Sequence, residues 1–106
     1  MSRFGGLIVQ HRYQVQPSDL DELKGLIERV FEHAEDLGVA SYEFWVDDEN
    51  AGTVTELYGY DSWSHWRRLA DKPSSSSMDS VYMRLDELIV GGLAAVDTRQ
   101  WRPAEI

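Results

Sequence analysis

The run from Val39 to Tyr60 constrains this chain more than any other stretch. Two segments rich in aromatic and β-branched residues, Val39 to Asp47 and Thr53 to Tyr60, are separated only by Asp48-Glu49-Asn50-Ala51-Gly52. Such residues fit a pleated surface, and so short a turn makes the two strands an antiparallel hairpin. In the first, Tyr42, Phe44 and Val46 share one face and Ser41, Glu43 and Trp45 the other. In the second, Val54, Glu56, Tyr58 and Tyr60 stand opposite Thr53, Thr55, Leu57 and Gly59. Both faces therefore carry apolar groups. A Trp-rich helix follows at once over Trp63 to Asp71, capped by Asp61 or Ser62 and stopped by Lys72-Pro73.

Upstream, Leu7 to Val15 alternates with a period of two. Leu7, Val9, His11, Tyr13 and Val15 form one face of a strand, and Ile8, Gln10, Arg12 and Gln14 the other. Gln16-Pro17-Ser18 ends it. Ser18, with Asp21 three residues on, predicts a helix N-terminus. Leu20, Leu23, Ile27, Val30, Phe31, Ala34 and Leu37 then recur at helical spacing as far as Gly38, a natural terminator. The spacing predicts an amphipathic helix over Asp19 to Leu37. Its outer face is acidic to the end, which opposes the helix dipole, so the apolar stripe must hold it.

Downstream, Pro73-Ser74-Ser75-Ser76-Ser77 reads as a loop, and Ser77 as the cap of a third helix. Met78, Val81, Tyr82, Leu85, Leu88 and Ile89 give that helix its stripe. Gly91-Gly92 stops it, and Leu93 to Thr98 is expected as a last strand, with Trp101 in a tail. The order is β-α-β-β-α-α-β. It predicts an α+β fold of ferredoxin-like, split βαβ type: a four-stranded antiparallel sheet with helices on one face. An apolar outer sheet face calls for a cover, and a second copy of the sheet is the simplest one.

Composition narrows the chemistry. A chain of 106 residues is expected to form one domain, 1–106. With no cysteine, disulfides, thiolate nucleophiles and Cys-ligated metals are excluded. A formal charge of −9 leaves no basic footprint for nucleic acid and disfavours an anionic lipid surface. No apolar run reaches the ~20 residues of a membrane span. The first residues, MSRFGGLIVQHRY, do not read as a signal peptide, so a cytoplasmic location is expected. The three His show no metal-ligand spacing. The turn DDENAG lacks the ligand pattern of a calcium loop. With no His on the third helix to serve as an axial ligand, haem is disfavoured. A small apolar or aromatic ligand and a protein partner remain.

The element order, the chain length and the stretch Tyr42-Glu43-Phe44 … Thr55-Glu56-Leu57-Tyr58 before a short helix resemble the antibiotic biosynthesis monooxygenase-like family. That family belongs to the dimeric α+β barrel superfamily, and its best match here is the Glu-x-aromatic end of the third strand, Glu56-Leu57-Tyr58. The resemblance implies a homodimer joined through the sheet face, with a ligand cavity in each subunit between sheet and helices. It also implies oxygenation of small phenols or quinols without a cofactor. The family often carries a His late in the helical segment after that strand. Here Leu69 to Ile89 contains none, and His65 comes early.

Two catalytic candidates follow. His65, between Trp63 and Trp66, is expected to take a proton from a phenolic substrate, unless it is an exposed helix His. Glu56 is expected to bond a ligand hydroxyl; the bland alternative, favoured for Glu43, is pairing with Arg12, Arg67 or Arg84. Tyr58, Trp66, Trp63 and Trp45, with Tyr60, are candidates for an aromatic box around a planar ligand. Aromatics at strand and helix spacing also serve as core or interface. His11 is a further candidate for that pocket, or a satisfied core histidine. The functional expectation is a cofactor-independent monooxygenase of a small aromatic or quinol-type substrate. The alternative is a non-catalytic ligand-binding or assembly module on the same fold.

Overall fold

The structure, a computed structural model, describes residues 6–70 and 76–104. Its elements run β1 (Leu7–Gln14), α1 (Leu20–Leu37), β2 (Ser41–Val46), β3 (Thr53–Tyr60), α2 (Trp63–Ala70), α3 (Asp79–Leu88) and β4 (Asp97–Trp101). The four strands form one antiparallel sheet in the order β2-β3-β1-β4. This is the expected α+β, ferredoxin-like arrangement.

Register places the side chains. His11 lies opposite Glu56 on β3 and Thr98 on β4, and Phe44 lies opposite Glu56 from β2. Directly paired residues point to the same face, so Phe44, Glu56, His11 and Thr98 make one row across the sheet. Tyr42, Tyr58 and Val9 make the next. Against these rows pack the buried stripes of α1 (Leu23, Ile27, Val30, Ala34) and α3 (Val81, Leu85, Leu88). The core lies between sheet and helices. The opposite face carries Ile8, Leu57, Trp45 and Trp101, set among Gln10, Arg12, Glu43, Thr55, Asp97 and Arg99. Among the described residues no helix covers that face, and Trp45 and Trp101 are 54% and 50% exposed.

Helix boundaries differ from expectation in two places. Pro17–Asp19 forms a 3-10 turn that delivers the chain into α1, so Asp19, not Ser18, takes the N-cap position, without a side-chain bond. The C-terminal expectation holds. Gly38 turns left-handed at φ 93°, and its N–H and that of Val39 return to Glu35 and Ala34. Ser77 lies within a 3-10 turn over Ser76–Met78, and α3 starts at Asp79 with Met78 at the cap. The helix stop at Lys72-Pro73 and most of the serine loop lie outside the described residues.

The last strand is also displaced. Leu93–Ala95 is a 3-10 turn, not strand. Gly91 and Gly92 both have positive φ, 81° and 76°, and the Asp86 side chain accepts the Leu93 N–H at 2.7 Å. Those bonds wind the apolar Leu-Ala-Ala segment into a turn. Pairing with β1 then begins at Asp97 and runs to Trp101. The residue read as tail is thus an edge-strand residue opposite Ile8.

Candidate functional site

A cavity of about 410 Å³ opens between the sheet and the helices. The sheet supplies His11 and Tyr13 from β1, Glu56, Tyr58 and Tyr60 from β3, and Thr98 from β4. From the helices come Val30, His33, Ala34 and Leu37 of α1, Trp66 and Leu69 of α2, and Tyr82 and Leu85 of α3. The β1–β3 face is continuous in this row because both strands keep strict alternation through it.

Glu56 is the chemical centre. Its side chain is buried, 7% exposed, and accepts a hydrogen bond from the Tyr58 hydroxyl. Burial, then the negative charge of Glu56, raises the pKa of Tyr58 well above its ordinary value. Burial does the same for Tyr82, helped by Glu56, and for Tyr60, helped by Tyr82. The ring of phenols therefore stays protonated. Tyr13 is also raised, by burial first and by Glu56 second. Its hydroxyl is buried, the residue being 5% exposed, and makes no well-formed hydrogen bond in the structure. Buried hydroxyls are nearly always satisfied, and the Glu56 carboxylate is the partner beside this one, helping to hold it protonated.

His11 completes the floor. Its Nδ1 lies 2.9 Å from Thr98 Oγ1, and its ring meets Tyr58 edge-on at 5.6 Å. Burial lowers its pKa, with Glu56 pulling weakly the other way. The imidazole is therefore neutral at neutral pH and able to accept a proton. Phe31 backs the floor, stacked on Tyr42 at 4.4 Å and edge-on to Tyr58 at 5.6 Å.

The structure brings Glu56, Tyr58, Trp66 and His11 together in the lining of one cavity. It separates three others from them. Trp45 stands on the opposite face of the sheet, because its parity on β2 matches Thr55 and Arg12 rather than Glu56. Trp63 lies outside the lining; it meets Trp66 edge-on at 5.3 Å and has the Arg67 guanidinium 6.0 Å above it. His65 also lies outside the lining. The Ser62 hydroxyl caps α2 by accepting the His65 N–H, and His65 Nδ1 accepts the Asp61 N–H at 3.1 Å. Its ring packs edge-on to Tyr60 from behind the wall. The nitrogen that would take a proton is thus already engaged by backbone.

Nor do the expected arginines neutralise Glu56. Arg84 pairs with Glu22 and Glu87, tying α3 to α1, and Arg12 is on the outer face. Residues the sequence reading did not select are Tyr13, Tyr82, His33 and Thr98. Tyr13 shares the parity of His11 and was findable; Tyr82 sits within an apolar helical stripe and resembled core. Among the described residues no three His, Asp or Glu side chains converge as a metal site, and no helix is long and apolar enough to cross a membrane.

No family model matches the sequence, and no curated protein matches it. Solved structures do match. A conserved protein from Methanosarcina mazei Go1 superposes with a TM-score of 0.73 at 17% identity, over 95% of each chain. A cofactor-independent oxygenase from Streptomyces nogalater gives 0.72 at 10% identity, over 96% of each chain. An antibiotic biosynthesis monooxygenase gives 0.70 at 10% identity, over 93% of this chain and 99% of that one. At such identities the likeness is one of architecture, and the chain has the fold of the antibiotic biosynthesis monooxygenase-like proteins.

Proposed function

We propose that the protein is a cofactor-independent monooxygenase whose small phenolic or quinol-type substrate sits in the cavity between sheet and helices. The observation that carries this reading is the cavity floor, where a neutral imidazole and a buried tyrosine hydroxyl meet under aromatic walls. His11, with Nδ1 directed at Thr98, presents its other nitrogen for the substrate's proton. The substrate anion passes one electron to dioxygen, and the resulting pair combines at a ring carbon to form a C–O bond. The O–O bond then breaks. One oxygen stays as a carbonyl, and the other leaves as water with two hydrogens from the substrate. The Tyr13 hydroxyl is placed to bond the oxygen on which charge develops.

Aerobic oxygen uptake with a panel of hydroquinones and anthrones, without added metal or flavin, tests it. Uptake with at least one substrate is expected, falling roughly 100-fold or more in His11→Gln while ligand binding is kept. A flat trace across the panel overturns the reading and leaves a binding module.

The helix-free sheet face supports a second part of the proposal, a homodimer formed face to face. Exposed Trp45 and Trp101, with Ile8 and Leu57 between them, give it an apolar centre within a polar frame.

A further inference from the structure

We infer that the cavity is built for an aromatic ligand carrying a positive charge, an ammonium group held against Glu56 between tyrosine rings. This rests on the reading of the cavity as the substrate site. Glu56 is the one carboxylate among the described lining residues, and no Lys or Arg joins it there. Its hydrogen-bond donor, the Tyr58 hydroxyl, is neutral. Three arginines are engaged elsewhere: Arg84 on Glu22 and Glu87, Arg99 on Asp97, and Arg67 over Trp63. A carboxylate taken out of water without a cation is strongly unfavourable. With aromatic rings around it, an organic cation is the counter-charge that fits.

Three further observations agree. Tyr58, Tyr60, Trp66 and Tyr82 line the same space, and aromatic rings attract ammonium groups through their negative faces. The Tyr13 hydroxyl is buried beside Glu56, and its oxygen keeps the capacity to accept a further bond. The chain's formal charge of −9 favours the approach of cations over anions. The chemistry gains as well. When His11, opposite Glu56, takes the substrate's proton, an ammonium on the substrate adds to the positive charge that stabilises the substrate anion.

The test compares two phenols of the same shape on the whole protein by calorimetry: (4-hydroxyphenyl)trimethylammonium and 4-tert-butylphenol, with 4-hydroxybenzoate as the anion. The cation is expected to bind about tenfold tighter than its neutral isostere, with the benzoate weakest. In Glu56→Gln the two phenols should bind equally. Tighter or equal binding of 4-tert-butylphenol by the native protein, binding of neither, or a preference undiminished in Glu56→Gln overturns the inference. Should that variant fail to fold, the isostere pair on the native protein still decides. Oxygen uptake separates the two proposals. Uptake with neutral quinols and no cation preference defeats this inference alone. Cation preference with no uptake defeats the monooxygenase alone.

Discussion

His11 stands directly opposite Glu56 on the neighbouring strands β1 and β3, with both side chains on the helix-covered face of the sheet. The imidazole is held on its other side by Thr98 and the carboxylate by Tyr58. A base and an acid group are thus fixed side by side by backbone register, at a place where burial outweighs their mutual attraction.

That arrangement gives stability a pH dependence. Burial lowers the His11 pKa below its ordinary 6.5, so the folded chain binds fewer protons there than the unfolded one. The contribution is complete above about pH 6.5 and is lost as pH falls through the folded value. Denaturant unfolding at neutral pH and at about pH 5 should show a loss that is smaller in His11→Gln. Equal losses in both proteins would contradict the assignment.

Tyr58→Phe removes the hydroxyl that satisfies the buried Glu56 oxygen. Leaving that acceptor unpaired should cost about 1–3 kcal/mol in urea unfolding. Adding Glu56→Gln should recover part of the loss, because the amide carries a weaker demand for a donor. Strict additivity of the two substitutions would mean the bond is not formed.

Two glycines should respond with opposite sign. Gly38 ends α1 at φ 93°, where an added Cβ is strained, so Gly38→Ala should cost about 1 kcal/mol. Gly25 lies exposed inside α1 with nothing within 4 Å of an added Cβ. Gly25→Ala should stabilise by about 0.5–1 kcal/mol through helix propensity. Thermal midpoints of the two variants check both.

If the helix-free sheet face joins two copies, sedimentation equilibrium should give about twice the 12.2 kDa chain mass. Trp45→Glu with Leu57→Lys should return it to one chain with far-UV circular dichroism unchanged. A native monomer at micromolar concentration would dismiss the sheet-to-sheet dimer.

Much of this was legible in the chain. Thr53 to Tyr60 alternates cleanly after a short turn, and the strand occupies those residues. Glu56, Tyr58 and Tyr60 share a parity that the sequence shows, but which face of the sheet they occupy it does not; the pairing places all three on the cavity side. Trp45 could not be placed from the sequence either. β2 carries aromatics on both parities, and only its pairing with β3 shows which side the helices cover. His65 sits on an eight-residue helix whose rotation is set by the Ser62 cap and the Asp61 amide, contacts that spacing does not reveal. The late strand was misplaced because its residues, Asp97 to Trp101, have little strand character of their own. Their place is set by β1, about ninety positions away.

That distant attachment has a consequence for the imidazole. β4 has one neighbour, and all five of its residues are exposed. Its amides should exchange with solvent before those of β1 and β3, since an edge held by one ladder opens at the lowest free energy. Thr98 leaves with it, and with Thr98 goes the hydrogen bond that holds the His11 ring at Nδ1. The orientation of the imidazole at the floor of the cavity is therefore only as durable as the outermost strand is closed.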